Sequence, residues 1–147
     1  MPPPWRGNSQ IGSVENLGRA CANGLVVAAH DISDGGLAVA ASEMIFGSAV
    51  GVEIDIDSLR TPYMDDRDEC GAPSDESALF AETIGSFLVE VRDENAANFE
   101  RTVGSYVLRL GTVTESRRLI IRNGATSLID EDPDELHRIW STALKVF

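Results

Sequence analysis

The sequence predicts an α/β (α+β) fold in which a mixed sheet carries flanking helices. Short apolar runs typical of strands recur along the chain, and segments with helical apolar spacing separate several of them. An Asn-Gly pair at residues 123–124 joins two strands of the second half as a tight hairpin. Helical and hairpin connections in one chain favour a sheet with both parallel and antiparallel neighbours.

Length and charge narrow the class of protein. The 147 residues suffice for one domain with its own core. We expect an arm or linker over residues 1–12 and a single domain over 13–147. The net charge of -12 nearly excludes general nucleic-acid binding and disfavours binding to anionic membranes. No apolar run could span a bilayer and the first residues lack the apolar segment of a signal peptide, so we expect a cytoplasmic protein.

The first half is expected to alternate helices and strands. Ser13 caps the first helix, Gly24 ends it, and Cys21 packs in the core as a small apolar residue. The first strand is apolar throughout, which is typical of a strand covered on both faces. The expected elements are a helix over 14–23, a buried strand over 25–30, a helix over 37–46, a half-exposed strand over 50–57 and a solvated acidic loop over 58–76.

The second half is expected to be richer in hairpins. Its elements are a strand over 87–92, a helix over 94–103 capped by Asp93, strands over 106–113, 118–122 and 126–129, and a last helix that begins at Asp132-Pro133. The last helix has an apolar stripe formed by Leu136, Ile139, Trp140, Ala143 and Leu144. His137 falls on its polar face, and we expect it to face solvent.

One polar motif could carry chemistry: residues 30–36, His-Asp-Ile-Ser-Asp-Gly-Gly, between a buried strand and a buried helix. Paired glycines allow positive φ and the close approach of a ligand, and N–H groups at a helix start favour an anion such as phosphate. Alternatively, Ser33 or Asp34 caps the helix and leaves no room for a ligand. Spacing alone leaves both readings open. Neither standard nucleotide-binding glycine loop is present.

For individual residues of the motif, a functional and a structural role are both possible. His30 could donate a proton or contact a phosphate, or it could be a satisfied histidine at a strand end. Asp31 and Asp34 could hold Mg²⁺, although two carboxylates make a weak metal site. The two cysteines form no zinc-binding pair, and the acidic residues of 58–76 match no calcium loop.

The chain resembles a known family at several points in order. Residues 29–40, followed by Glu43-Met44, are similar to the last domain of the synthetase subunit of phosphoribosylformylglycinamidine synthase, in the aminoimidazole ribonucleotide synthetase superfamily. The similarity continues at residues 79–83 with 87–91, at 110–113, and at 134–136 with Trp140. Together these motifs span nearly the whole chain.

The resemblance implies a fold and an activity. The fold is the superfamily's C-terminal domain, with a mixed sheet. The activity is that of a ligase of purine biosynthesis: ATP-dependent amidation of formylglycinamide ribonucleotide. ATP and Mg²⁺ are the implied cofactors, and ammonia comes from a glutaminase subunit. A small bridging subunit and the N-terminal-type domains of the same subunit are further implied partners.

The resemblance also implies how this chain takes part. No catalytic residue is expected in it, and its metal ligands stay unassigned. The expected contacts to nucleotide or substrate phosphate are His30, Asp31, Ser33, Asp34, Gly35 and Gly36. Gly35→Val should then weaken ligand binding more than stability, since a β-branched side chain resists positive φ and blocks the ligand.

Two departures from the family affect this expectation. Ser86 stands where the family usually has an Arg just before a strand, so a contact from that Arg is absent. The chain also has no room for the N-terminal-type domains that carry most ATP and Mg²⁺ ligands. We therefore expect the isolated chain to be inactive and to form a homodimer at high concentration. The alternative is a non-catalytic nucleotide-binding or docking module of the same superfamily.

Overall fold

The computed structural model describes residues 7–63, 73–83, 85–104 and 107–143. Its helices are α1 (Gly7–Ala22), α2 (Gly36–Ile45), α3 (Asp75–Phe80), α4 (Asp93–Val103) and α5 (Pro133–Thr142), with a 3₁₀ helix over Ile56–Tyr63. Its strands are β1 (Ala28–Asp31), β2 (Gly51–Asp55), β3 (Phe87–Glu90), β4 (Gly111–Thr114), β5 (Leu119–Asn123) and β6 (Thr126–Glu131). Within these residues, no helix is long and apolar enough to cross a membrane.

The elements fall into two compact units. The first unit is drawn from residues 1–31 and 84–107 and holds α1, β1, β3 and α4. The second is drawn from residues 32–83 and 108–147 and holds the other elements. The expected single domain over 13–147 and the arm over 1–12 stay predictions, and residues 1–6 lie outside the described part.

The first unit consists of a helix pair and a two-stranded sheet. β1 and β3 are antiparallel, with Ala28 opposite Glu90 and Asp31 opposite Phe87. α1 packs on α4, where Ala20 and Phe99 are buried. The side-chain amide of Asn16 donates to the carbonyl of Val103 at 3.3 Å, which ties the middle of α1 to the end of α4.

Three sequence predictions fail in this unit. α1 begins at Gly7 rather than after Ser13, because the residues before Ser13 also adopt helical backbone. Cys21 is exposed rather than buried, because it lies about 100° around the helix from the buried Ala20. The strand predicted over 25–30 is shorter and alternates half-buried with exposed residues, and β3 is the one strand that pairs with it among the described residues.

The second unit contains the predicted mixed sheet, in the order β4-β2-β5-β6. β2 is parallel to β5 and antiparallel to β4, and β5 is antiparallel to β6. Alternate residues of the central strands enter the core, so Ile54, Leu119 and Ile121 are almost fully buried. α2 lies against β2 and β5. Its buried residues are Gly36, Leu37, Ala38, Ala40, Ala41 and Ile45.

The strands and connections of this sheet agree only in part with those predicted from the sequence. The predicted hairpin is present, with Asn123 opposite Thr126 and Gly124 at φ 54°. The strand predicted over 106–113 begins only at Gly111, whose close approach to the Glu53 carbonyl leaves no space for a side chain. The loop predicted over 58–76 has helical structure at both ends, and residues 64–72 lie outside the described part.

The last helix begins as predicted, but part of its apolar stripe is exposed. The Asp132 side chain accepts hydrogen bonds from the N–H groups of Asp134 and Glu135, and Pro133 occupies the first turn. α5 packs on α2. Ile139 and Trp140 nevertheless remain 51% and 55% exposed. The stripe therefore leaves an apolar surface on this unit uncovered.

Candidate glycine-turn site

The site predicted from sequence centres on the turn into α2, residues 33–36, which we call the glycine turn. Gly35 and Gly36 have φ of 79° and 70°, as the paired glycines predict. The N–H of Gly36 donates to the carbonyl of Ser33 at 3.0 Å and closes the turn. Within the described residues, no side chain caps α2, so the alternative in which Ser33 or Asp34 caps the helix does not hold. The positive end of the helix dipole is therefore without a side-chain cap.

The two glycines also have packing roles. A Cβ on Gly36 would lie 2.6 Å from the Phe80 carbonyl carbon and 2.7 Å from the Leu79 oxygen. A Cβ on Gly35 would lie 2.4 Å from Cγ2 of Val39. The close approach at Gly36 is thus made by the end of α3 and not by a ligand. Gly35→Val should therefore cost stability as well, and the expectation that it weakens ligand binding more than stability stays a prediction.

An open pocket of about 330 Å³ lies beside the glycine turn, within the second unit. Its described lining residues are Ser33, Asp34, Gly35, Val39, Glu43 and Trp140. Val39 and Glu43 are four residues apart and so share one face of α2, and Gly35 lies just before the helix. Two acidic residues, a serine and a tryptophan therefore line one pocket next to the uncapped helix start.

Trp140 forms a wall of the pocket and is held in place by other rings. Its centroid lies 5.8 Å from that of Phe46 and 6.1 Å from that of His137, whose plane is inclined to the indole by 28°. Phe46 and His137 are themselves 5.0 Å apart. His137 is exposed, as predicted, yet it belongs to this aromatic cluster of Phe46, His137 and Trp140. One side of the indole therefore contacts this cluster, while more than half of Trp140 stays accessible.

The charged residues of the pocket's described lining are both acidic. They are Asp34 and Glu43. Among the described residues, no group of three or more acidic, His or Cys side chains could hold a metal ion. A divalent cation would therefore need oxygen ligands from a bound phosphate in addition to these carboxylates, as Mg²⁺ commonly has.

The other two predicted site residues belong to the first unit. Nδ1 of His30 lies 2.7 Å from the carbonyl oxygen of Asp31 and 3.7 Å from its carboxylate. The side chain of His30 is 29% exposed and that of Asp31 is 64% exposed. This geometry fits the reading of His30 as a satisfied histidine at a strand end, and a ligand contact by either residue stays a prediction.

Sequence reasoning missed part of the pocket. The four-residue spacing of Val39 and Glu43 was available as a signal, because it places them on one face of α2. Trp140 was predicted as part of an apolar stripe and of a family motif, and not as a pocket residue. It reaches the pocket through the packing of α5 on α2, a contact between distant parts of the chain that no local pattern indicates.

The geometry defines a class of protein: an α/β domain in which a glycine turn leads into a buried helix on a mixed sheet. Comparison with known proteins agrees. The family described as AIR synthase related protein, C-terminal domain, matches residues 8–123. The chain belongs to this family.

Known relatives carry the same region within longer chains. Phosphoribosylformylglycinamidine synthase subunit PurL of Lactobacillus helveticus is 34% identical over 131 residues, which cover 89% of this chain and 16% of that protein. Thermotoga maritima PurL complexed with FGAR matches with a TM-score of 0.69 and 19% identity, over 86% of this chain and 20% of that one. The same protein complexed with ATP matches with a TM-score of 0.68 and 19% identity, over 85% and 21%. The chain thus spans about a fifth or less of the proteins it matches.

Proposed function

We propose that this chain acts as the C-terminal domain of a phosphoribosylformylglycinamidine synthase, an ATP-dependent ligase of purine biosynthesis. The observation that carries the proposal is the family match over residues 8–123, together with the 34% identity to a PurL subunit. The reaction converts formylglycinamide ribonucleotide to its amidine with ATP and ammonia. The non-catalytic docking module is the competing function.

The glycine turn would supply phosphate contacts in this reaction. N–H groups of the first turn of α2 lie at the positive end of its dipole, and no described side chain caps them. Ser33, Asp34, Gly35 and Gly36 surround this end, and His30 and Asp31 precede it in sequence. The bound phosphate belongs either to ATP or to the ribonucleotide.

Magnesium would fit this arrangement only together with that phosphate. Asp34 and Glu43 are the described carboxylates that would hold it at the pocket. When bound, Mg²⁺ would neutralise phosphate charge during transfer to the amide oxygen. The chain's own role is to bind and orient the phosphate, because it offers backbone donors and no assigned nucleophile.

The remaining parts of the enzyme would be partners of this chain. They are the N-terminal-type domains of the same subunit, the glutaminase subunit that releases ammonia, and the small bridging subunit. The assembly would work in the cytoplasm. The uncovered apolar residues of α5, Ile139 and Trp140, would favour a homodimer of the isolated chain.

A chimera tests the proposal. This chain replaces the matching C-terminal segment of the L. helveticus PurL protein, and amidine formation is measured with ATP, ammonia and formylglycinamide ribonucleotide. We expect activity within about tenfold of the parent, and none from the isolated chain, because it lacks most of the enzyme. Asp34→Asn in the chimera should raise the KM for ATP or for the ribonucleotide. Glu131→Gln, on β6, removes the same charge outside the pocket lining and should leave both values unchanged.

Two results would contradict the proposal. Amidine formation by the isolated chain would show that the other domains are dispensable. A chimera that folds and assembles but forms no amidine would favour the docking module.

A further inference from the structure

The chain contains two Asn-Gly pairs, Asn23-Gly24 directly after α1 and Asn123-Gly124 in the β5–β6 hairpin. An asparagine that precedes a glycine is chemically labile, because glycine has no side chain to hinder attack by its backbone nitrogen on the asparagine amide. Both glycines have open space around them, with nothing within 4 Å of the position that a Cβ would take. A difference in reactivity between the pairs must therefore come from the hydrogen bonds around them.

In the hairpin, two carboxylates hold both reacting groups of the pair. The side-chain amide of Asn123 donates to Oδ1 of Asp75 at 2.8 Å, and the N–H of Gly124 donates to Oδ1 of Asp55 at 3.1 Å. Attack of the nitrogen on the amide requires that both hydrogen bonds break. The negative charge of Asp55 also disfavours loss of the proton from the Gly124 nitrogen, which must lose it to attack. The fold therefore opposes the reaction at this pair.

The surroundings of the pair after α1 are different. Asn23 is exposed, and its side-chain amide has no hydrogen bond to another residue in the described part of the chain. The N–H of Gly24 donates at 3.0 Å to a neutral acceptor, the carbonyl of Cys21. This bond belongs to the end of a helix, and helix ends open locally at a small cost in free energy. Both reacting groups are therefore available more often here than in the hairpin.

We propose that Asn23-Gly24 is a site of spontaneous covalent modification in the folded chain, whereas Asp55 and Asp75 keep Asn123-Gly124 unmodified. The nitrogen of Gly24 attacks Cγ of Asn23 and closes a cyclic imide. The bond from Cγ to Nδ2 breaks, and ammonia leaves with the proton of the Gly24 nitrogen. Water then opens the imide at Cγ, which gives aspartate, or at the backbone carbonyl, which gives isoaspartate. Water is the one co-reactant, and the site is independent of the proposed function.

Modification of Asn23 would weaken the end of α1. Both products place a negative charge at the C-terminal end of this helix, where its dipole makes a negative charge unfavourable. Isoaspartate also lengthens the main chain by one carbon. It would thereby disturb the hydrogen bond from the N–H of Leu25 to the carbonyl of Ala20, a residue that is fully buried. We therefore expect the modified chain to unfold at a lower denaturant concentration than the unmodified chain.

Ageing of the whole 147-residue chain at mildly alkaline pH tests this inference. Peptide mass spectrometry follows the loss of each asparagine amide, in buffer and in guanidinium chloride that unfolds the chain. In the folded chain, Asn23 should be modified at least about tenfold faster than Asn123. In the unfolded chain, the two rates should agree within about twofold, because the local hydrogen bonds are absent. Equal rates in the folded chain, or a ratio that persists in denaturant, would overturn the inference.

Variants test whether the two carboxylates protect the hairpin pair. Asp55→Ala and Asp75→Ala should each speed the modification of Asn123 about fivefold, the factor expected for one lost hydrogen bond. Asp57→Ala is the matched control. It removes an exposed carboxylate two residues from Asp55, which the N–H of Asp57 contacts through the backbone, and the rate at Asn123 should not change.

The rate at Asn23 serves as the internal reference in the same samples. It should stay the same in all three variants, because Asn23 lies in the other unit. A common increase at both asparagines would indicate general unfolding, and melting curves identify a variant that has lost its fold. A rate at Asn123 that is unchanged or slower in either the Asp55 or the Asp75 variant, with the chain folded, would overturn the inference.

Discussion

Two turns of the second unit look alike in sequence and differ in what their polar residues do. The glycine turn contains Ser33 and Asp34 next to glycines with positive φ. The hairpin turn between β5 and β6 contains Asn123 and Gly124, also with positive φ. Both are short, polar and placed at the end of a regular element. Sequence patterns alone classify them together.

In the hairpin turn, polar side chains bind other parts of the fold. Oδ1 of Asp55 accepts from the N–H of Gly124 at 3.1 Å and from that of Asp57 at 3.0 Å. The side-chain amide of Asn123 donates to Asp75 at 2.8 Å. The end of β2 and the start of α3 are thereby tied to the hairpin. These polar groups stabilise the fold.

In the glycine turn, Ser33 and Asp34 line an open pocket and neither caps α2. Its two glycines contribute to the fold instead. The side chain of Val39 packs against Gly35, and the backbone of Leu79 and Phe80 packs against Gly36, where a Cβ would otherwise be. Polar turn residues thus differ in role according to their neighbours. Polar groups bonded within the fold support stability, and polar groups around a pocket are available for a ligand.

The largest expected effect is on stability, from Gly36→Ala. The new Cβ would lie 2.6 Å from the backbone of Phe80, at φ 70°. We expect a loss of about 3 kcal/mol in the free energy of unfolding, measured by urea denaturation. Gly47→Ala is the matched control, since Gly47 has the same φ of 70° and nothing within 4 Å of its Cβ. It should lose about 1 kcal/mol, from backbone strain alone. Equal losses in the two variants would mean that the packing against Phe80 is unimportant.

Asp55→Ala probes the hairpin turn and should have an intermediate effect. The backbone N–H of Asp57, then that of Gly124, and the charge of Arg122 lower the pKa of the Asp55 carboxyl. Removing both hydrogen bonds should cost about 1 kcal/mol at pH 7, a modest value because the site is close to solvent. Guanidinium or urea unfolding of the variant measures it.

The pH dependence of this effect has a definite sign. A lowered pKa in the folded state means that the carboxylate stabilises the fold above its ordinary pKa of about 3.9. This stability is lost as the pH falls below that value and through the lower pKa of the folded state. The difference between wild type and Asp55→Ala should therefore shrink below about pH 4. A difference that grows on acidification would contradict the assignment.

Asp34→Asn is the corresponding change in the glycine turn, and its effect on stability should be small. Asp34 is exposed and does not cap α2, so the free energy of unfolding should change by less than about 0.5 kcal/mol. Its effect should appear instead in ligand binding, the reverse of Asp55→Ala. A thermal melt and a binding titration on the same samples test the contrast. A large loss of stability would place Asp34 among the residues that support the fold.

The smallest expected effect on folding is that of Ile139→Asp. Ile139 is 51% exposed, so its replacement should change stability by less than about 0.5 kcal/mol. It should weaken self-association, because it places a charge on the uncovered apolar surface. Light scattering measures the molar mass of the wild type and of the variant at about millimolar protein concentration. Moderate salt is added because it screens the repulsion that the net charge of -12 causes. A wild-type chain that stays monomeric there would contradict the expected homodimer.

The elements predicted best were those with a strong local signal. The hairpin at Asn123-Gly124 and the start of α5 at Asp132-Pro133 were correct, since turn and cap chemistry act over a few residues. The mixed sheet was also predicted. The predicted burial of β1 was wrong, because an apolar run does not reveal how many neighbouring strands a strand has.

The candidate site was predicted only in its local part. The glycine turn and its positive φ values followed from residues 33–36. Local sequence could not show that Gly36 packs on the end of α3, or that Trp140 stands beside Asp34. Both depend on contacts between distant segments, and these decide whether a polar turn is scaffold or pocket.

The strand order of the second unit has a consequence for the growing chain on the ribosome. β2 is synthesised well before β4 and β5, the two strands that pair with it. Until they emerge, both edges of β2 have unpaired backbone groups, and Ile54 has no completed core to enter. A nascent or truncated product that ends before Gly111 would therefore expose a strand with two open edges, a template for aggregation. Chaperone protection during synthesis should matter most in that interval, and less once the locally paired β5–β6 hairpin has formed.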